Sequence, residues 1–418
     1  MQGKIQQAAI RKYFLQSIAK PQVLAGTRPD ARRLHIRGSS LSETKYIKLG
    51  QMTKKRSAPE NRVPAAEESR VTTLELFFDL VFVFTLTQLT ALLSKSLTWE
   101  SLLQSFLIFI VLFWMYGGYV WLTNSIPPVT PARQLLFIAG MAAFLICALA
   151  IPNAFEDTGV ALGIGYFIVI LVHGFMYVRG VGWKAARFVP MNFLSAGAVI
   201  GAGFIDGPAK YGFWVLAIAL HVITSFLSSG LQFEIRVGHF VERHGLLLLV
   251  ALGESIIAIG ASGLELDLRF IVAAVLGLIL SAALWWIYFA RDDETARTTM
   301  LARTGSAQLR QALGAYFYAF IPMLFGIILL ATGIKSTMEH LTTRLDAAHA
   351  FAFGGGVGLY LLGTIIFRKA SGIPAVAYRY IAAGFAVLTG LIGHNLNAGL
   401  QFVSLILALV ALVYAESD

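Results

Sequence analysis

Cysteine is nearly absent from this sequence. The single thiol, Cys147, lies inside an apolar run, so neither a disulfide framework nor a thiolate metal site can form within one chain. Charge is scarce as well: 13% of the 418 residues are charged, against 57% hydrophobic. A soluble domain carries about twice that charge, so a water-soluble globule is excluded. The eight histidines do not cluster as di-iron membrane oxygenases require. There is no Gly-x-x-x-x-Gly-Lys phosphate loop and no His-Glu-x-x-His zinc helix. The expectation is a protein that is not an enzyme, with no cofactor and no metal centre.

What remains is apolar length. The chain has room for about a dozen spans of ~20 residues. The net charge of +10 belongs to one end. Residues 1–70 hold 15 Lys/Arg and 5 Asp/Glu, whereas residues 71–418 hold 18 of each. A basic tail suits an anionic membrane surface, so the expected partner is the lipid bilayer and not nucleic acid. The tail lacks long apolar runs and is expected to be largely disordered. Its first 20 residues are acid-free, with Ile10, Phe14, Leu15 and Ile18 placed for a short amphipathic helix. That pattern fits a surface helix or a mitochondrial transit peptide. Met52 is an alternative start, which would make residues 1–51 an over-called beginning.

Apolar runs predict an all-α, polytopic transmembrane helical bundle of twelve spans: 72–93, 101–122, 132–152, 159–178, 188–205, 211–229, 243–262, 269–290, 309–332, 347–367, 377–393 and 397–415. The fifth and eleventh are short and glycine-rich, which leaves ten to twelve true spans. With the N-terminus placed inside, inner loops carry 13 Lys/Arg and outer loops 5. This bias predicts both termini on the cytoplasmic side, most simply of a bacterial plasma membrane. The mitochondrial inner membrane is the alternative if the tail is a transit peptide. Two six-helix halves, 71–235 and 236–418, show matched features. Val178-Arg179-Gly180 answers Phe367-Arg368-Lys369, Arg187-Phe188 answers Arg379-Tyr380, and Glu75 answers Glu242 at an offset of 167 residues. A parallel six-plus-six repeat is expected.

The candidate functional residues are acids in apolar helices. Glu75 and Asp79 lie four apart in the first span and share a helical face with Thr72 and Thr90. Phe82 and Leu86 interrupt that face, as an apolar constriction would. A carboxylate in hydrocarbon costs at least ~2.5 kcal/mol, so these acids need a polar interior, an ion, or a cation from another span. In the seventh span, Glu254 is flanked by Gly253 and Ser255, small neighbours that allow close helix packing or backbone access to an ion. Arg243 is eleven residues away, about 16 Å along the helix, too far to pair with it. His239, Glu242, Arg243 and His244 form a supporting cluster at the span's start. His173 and His221 are candidates for a proton relay or for simple interhelical hydrogen bonds. Trp114, Tyr116, Tyr119 and Trp121 fit an aromatic belt, as do Trp285, Trp286 and Tyr288. Gly354-Gly355-Gly356 marks a helix break or tight packing. Arg291-Asp292-Asp293-Glu294 reads as a solvated loop.

These motifs resemble the low temperature requirement protein A family of membrane proteins. The first-span pattern runs from Glu75 to Phe84. The aromatic end of span two is Phe113 to Trp121. His239 to Leu246 and Leu252 to Ser255 carry the third motif. The likeness covers residues 70 to about 415. After span two the chain departs from the family pattern: Asn124 is followed by Ser125-Ile126-Pro127-Pro128 without acids. The resemblance implies a role in growth in the cold and no particular reaction. A fainter similarity, Phe77-Phe78-Asp79 against the Phe-Ser-Asp of two-repeat potassium channels, would pair Asp79 with Glu254 at an offset of 175. The functional expectation is a proton- or cation-coupled transporter. Asp79 and Glu254 would bind a proton or monovalent cation, with Glu75 at the mouth and Arg243 as counter-charge. The alternatives are a passive cation channel and a non-transporting scaffold or sensor.

Overall fold

A computed structural model describes residues 71–182, 189–228, 234–260, 265, 267–374 and 377–416. The basic tail, with its expected helix around Ile10 to Ile18 and the Met52 start, lies outside the described residues. So do Lys184 and Arg187.

Among the described residues there are helices and no strands. The long helices are α1 (Thr73–Lys95), α2 (Trp99–Ser125), α3 (Pro131–Ala150), α4 (Gly159–Val181), α5 (Val189–Ala202), α6 (Ala209–Ser228), α7 (Val237–Gly260) and α8 (Leu268–Phe289). Two short ones follow, α9 (Asp292–Leu301) and α10 (Gly305–Leu313). Then come α11 (Phe320–Glu339), α12 (Ala347–Ser371), α13 (Ala377–Asn395) and α14 (Ala398–Ala415). Nine of the described helical stretches are long and apolar enough to cross a membrane. The shorter apolar helices are α5 and the 209–224 part of α6. At 14 residues, α5 is about 21 Å long, less than a ~30 Å hydrocarbon core. The protein is an integral membrane helical bundle.

Helix starts follow local chemistry. Thr72 caps α1 in a reciprocal box with Glu75, Thr98 does the same for α2 with Ser101, and Asp267, Asp346 and Asn397 cap α8, α12 and α14. The outward faces carry Leu, Ile, Val and Phe, such as Leu135, Leu149, Ile271 and Leu388, as lipid contact demands.

α1, α7 and α11 pack on one another at the centre. In the first half α1 packs on α2 and α3, α3 on α4, α4 on α5, α5 on α6, and α2 on α6. In the second, α7 packs on α8 and α11, α11 on α12, α12 on α13, α13 on α14, and α8 on α14. The two sets of contacts correspond pair by pair. α1 and α7 run parallel: Glu75 meets Arg243 near their starts, and Thr87 meets Glu254 further along. Their N-terminal ends define the near face below; the opposite end is the far face.

The glycine triplet of α12 serves packing, because the helix continues through it. A Cβ on Gly354 would stand 2.2 Å from the Ala386 carbonyl oxygen, and one on Gly356 would stand 2.6 Å from the Leu330 nitrogen. In the charged stretch at 291–294, Arg291 and Glu294 are exposed as expected, but Asp292 is not. Asp292 is buried, bonded to Arg379 Nη1 at 2.7 Å and 3.6 Å from Arg368. Arg379 also holds Glu416 at 2.7 Å. This cluster ties α9, α12, α13 and the chain's last described residue. A buried carboxylate is tolerated here because two guanidinium groups face it.

Candidate functional site

The first turn of α1 and the first turns of α7 build one buried ion network. Arg243, fully buried, donates from Nη1 to Glu75 Oε1 at 2.9 Å and to Thr123 Oγ1 at 2.6 Å. Its Nη2 donates to Asp79 Oδ1 at 3.1 Å. The Tyr116 hydroxyl donates to the same Oδ1 at 2.9 Å. The guanidinium also lies 5.4 Å from the Phe78 ring centroid, a cation–π contact. Glu75 Oε2 receives the Thr72 amide and hydroxyl, both at 2.9 Å. The helix-capping acid is therefore also an ion-pair partner.

His239 completes the network. Its Nε2 lies 3.1 and 3.2 Å from the two Glu75 oxygens. Its Nδ1 lies 3.4 Å from Asn124 Nδ2. The amide orientation of Asn124 is set by a reciprocal pair: its Oδ1 accepts from the Arg236 amide and its Nδ2 donates to the Arg236 carbonyl, each at 3.1 Å. Nδ2 is thus a donor, so His239 Nδ1 must accept and Nε2–H must donate to Glu75. In this tautomer the histidine is neutral. Arg236 adds a second guanidinium at this end, donating to the Asn124 and Thr123 carbonyls, so two carboxylates face two guanidinium groups. Asp79 Oδ2 and Arg243 Nε are buried without a hydrogen-bond partner.

Between this network and Glu254 lies a sealed layer. Asp79 and Thr87 are eight residues apart, roughly 12 Å along the helix. Phe82 and Leu86 fill that interval, both buried. The Phe82 ring stacks near Tyr116 at 4.3 Å, with Phe113 and Phe144 within 6.3 Å. Beyond the layer, Glu254 is buried and accepts a 2.6 Å hydrogen bond from Thr87 Oγ1. Among the described residues it has no cationic partner. Gly253 faces open space and makes no close helix contact.

The remaining sequence candidates fall elsewhere. Glu242 is exposed and accepts from the Val71 amide at 3.3 Å. His244 turns to the other side of α7, where Nδ1 donates to the Phe240 carbonyl at 2.8 Å and the ring packs on Tyr316 and Phe320. His173 Nε2 contacts the Gly118 carbonyl at 3.2 Å. His221 is buried under Trp114 with Tyr166 and Ser195 on its Nε2. Neither His173 nor His221 touches the carboxylates. Among the described residues no group of three or more His, Cys, Asp or Glu could hold a metal ion.

Three participants escaped the sequence reading. Tyr116 was expected in an interfacial belt, yet it is buried against Asp79. Tyr119 is buried too, with its hydroxyl on the Val169 carbonyl at 3.0 Å. Thr123 is a polar residue at a helix end, and Asn124 stands out in the sequence only as the point after which the chain departs from the family pattern. Seven-residue spacing between Tyr116 and Thr123 puts them on one face of α2, and that was the available signal. Trp285 and Trp286 are exposed, as a belt requires, whereas Tyr288, expected with them, is buried.

A membrane bundle whose central parallel helices bury acids against an arginine defines the class of protein. The bacterial low temperature requirement A family matches residues 70–415, and the chain belongs to that family. An uncharacterized protein of Rhizobium meliloti is 26% identical over 371 residues, covering 83% of this chain and 89% of the relative. No solved structure matches the chain.

Proposed function

We propose that this protein moves protons or monovalent cations across the membrane in a coupled cycle, with Glu254 as the ion-binding carboxylate. The observation that carries this reading is that Glu254 is buried in the bundle with a single hydroxyl for company and no counter-cation among the described residues. A carboxylate so placed is costly unless it binds a proton or an ion. The near-face network supplies the second element. In it, Asp79 Oδ2 is a buried acceptor without a hydrogen-bond partner. A proton arriving from the near side would settle there, because Asn124 blocks the second nitrogen of His239. Arg243 would act as the counter-charge that lets Asp79 exchange its proton. The aromatic layer around Phe82 keeps the two acids apart, as an occluded state requires. The paired contacts of the two halves support an internal six-plus-six duplication. The near face would be cytoplasmic, in a bacterial plasma membrane, by the excess of Lys and Arg there.

The pairing of both α1 acids with Arg243 favours a second reading, a non-transporting scaffold in which Glu75 and Asp79 serve packing alone. Ion flux in liposomes separates the two. Under a proton or potassium gradient the wild type should show flux, and Glu254→Gln should abolish it while keeping its melting behaviour. A folded wild type that passes neither ion would sink the transport reading.

A further inference from the structure

Hydroxyls in the helices of this bundle usually bond their own backbone. Thr332 donates to Ile328 at 2.9 Å, Thr337 to Gly333 at 2.8 Å, Ser281 to Gly277 at 2.9 Å and Ser404 to Leu400 at 2.8 Å. Five Ser and Thr hydroxyls among the described residues break that habit; one is Ser371 on α12, and the other four are on the helices that surround Glu254. Thr90 and Ser94 on α1, Ser105 on α2 and Ser255 on α7 have buried oxygens with no hydrogen-bond partner. Thr90, Ser105 and Ser255 are at least nine-tenths buried as residues.

Their placement is ordered. Thr87, which holds Glu254, shares one side of α1 with Thr90 and Ser94, within about 60°. That side therefore turns toward α7. Three residues link α1 to α2 as an antiparallel pair, which brings Ser105 level with Thr90. α2 packs against both α1 and α7. Ser255 follows Glu254 about 100° round α7, on the side that faces α11, which also packs on α1. From Thr87 to Ser94 the row rises roughly 10 Å and ends at the last turn of α1. Unsatisfied buried hydroxyls each cost stability unless something bridges them, and four in one row point to a common occupant.

We propose that Thr90, Ser94, Ser105 and Ser255 line a hydrated lane that connects Glu254 to the far face. Water fills it, and a proton or a hydrated monovalent cation enters along it. The lane ends at Glu254, because the Phe82 layer closes the way to Asp79. This rests on the reading of Glu254 as the ion-binding carboxylate, yet it is testable without transport.

The chain's single, buried cysteine provides the means. Thr90, Ser94, Ser105 and Ser255 are changed to Cys one at a time, reconstituted in liposomes and treated with a small, charged methanethiosulfonate. Wild type is the blank. Thr85→Cys, in the sealed layer, and Thr332→Cys, at a back-bonded site, are the buried controls. A hydrated thiol ionises and reacts, whereas a thiol in an apolar setting does not, so lane positions should react at least ~10-fold faster than the controls. The fully buried Ser105 and Ser255 decide the matter; each reports separately if the other variant folds poorly, as judged by its melting temperature. Reaction no faster than at Thr85→Cys and Thr332→Cys overturns the lane. Reactive lane positions in a protein without ion flux keep the lane and overturn coupled transport. Flux with unreactive positions does the reverse.

Discussion

Arg243 is the residue on which the near-face network converges. It answers two carboxylates, a threonine hydroxyl and an aromatic ring. Removing one member of a buried ion pair strands the others, at a cost of about 3–5 kcal/mol. Arg243→Met should therefore collapse the thermal stability of the detergent-solubilised protein. Tyr116→Phe loses one hydrogen bond to a charged group, worth about 1.5–3 kcal/mol, and should lower the melting temperature less. If Arg243→Met melted like wild type, the network would not be the anchor of α1 to α7. At this scale the sequence was partly readable. The need of Glu75 and Asp79 for a cation followed from their cost in hydrocarbon. Arg243 was expected as a counter-charge, but that it bonds Glu75 and Asp79 at once did not follow, because it is 168 residues from Glu75 and lies in a separate motif.

Helices were the most legible elements. Apolar runs placed most of the long ones, and the tight junction of α11, α12 and α13 adds a contrast that tests the packing. Gly354 has the Ala386 carbonyl 2.2 Å from where a Cβ would go, while its neighbour Gly355 meets nothing within 4 Å. Gly354→Ala should be destabilising by about 1–3 kcal/mol through overpacking. Gly355→Ala should be neutral or stabilising by up to ~1 kcal/mol from helix propensity. Equal melting temperatures for the two variants would contradict the close approach of α12 to α13. Composition alone gave the triplet two readings, since a glycine run serves a break or a contact equally well.

Over the whole molecule, α1 and α7 run parallel, as the proposed repeat requires. Thr87 and Glu254 touch, and they differ by 167 positions, the same offset that relates Glu75 to Glu242. Asp79 pairs with Arg243, so it lies about 16 Å below Glu254 along the helices. The alternative offset of 175, which equates Asp79 with Glu254, is at odds with that separation. Thr87→Cys combined with Glu254→Cys should join under a short bismaleimide into a loop that resists separation after proteolysis between the halves. Asp79→Cys with Glu254→Cys should not. The reverse result would favour the other offset.

The sequence by itself determined that this is a helical membrane protein, where most spans run and which acids are misplaced in hydrocarbon. Those properties are local, set by apolar length, capping chemistry and the cost of a charge. The tertiary structure alone decided that Arg243 bonds Glu75 and Asp79 together, that Asn124 sets the His239 tautomer, that Tyr116 bonds Asp79 and that Glu254 stands alone with Thr87. Each depends on side chains more than a hundred positions apart, or on the face a helix turns inward. Neither is fixed until the helices choose their neighbours.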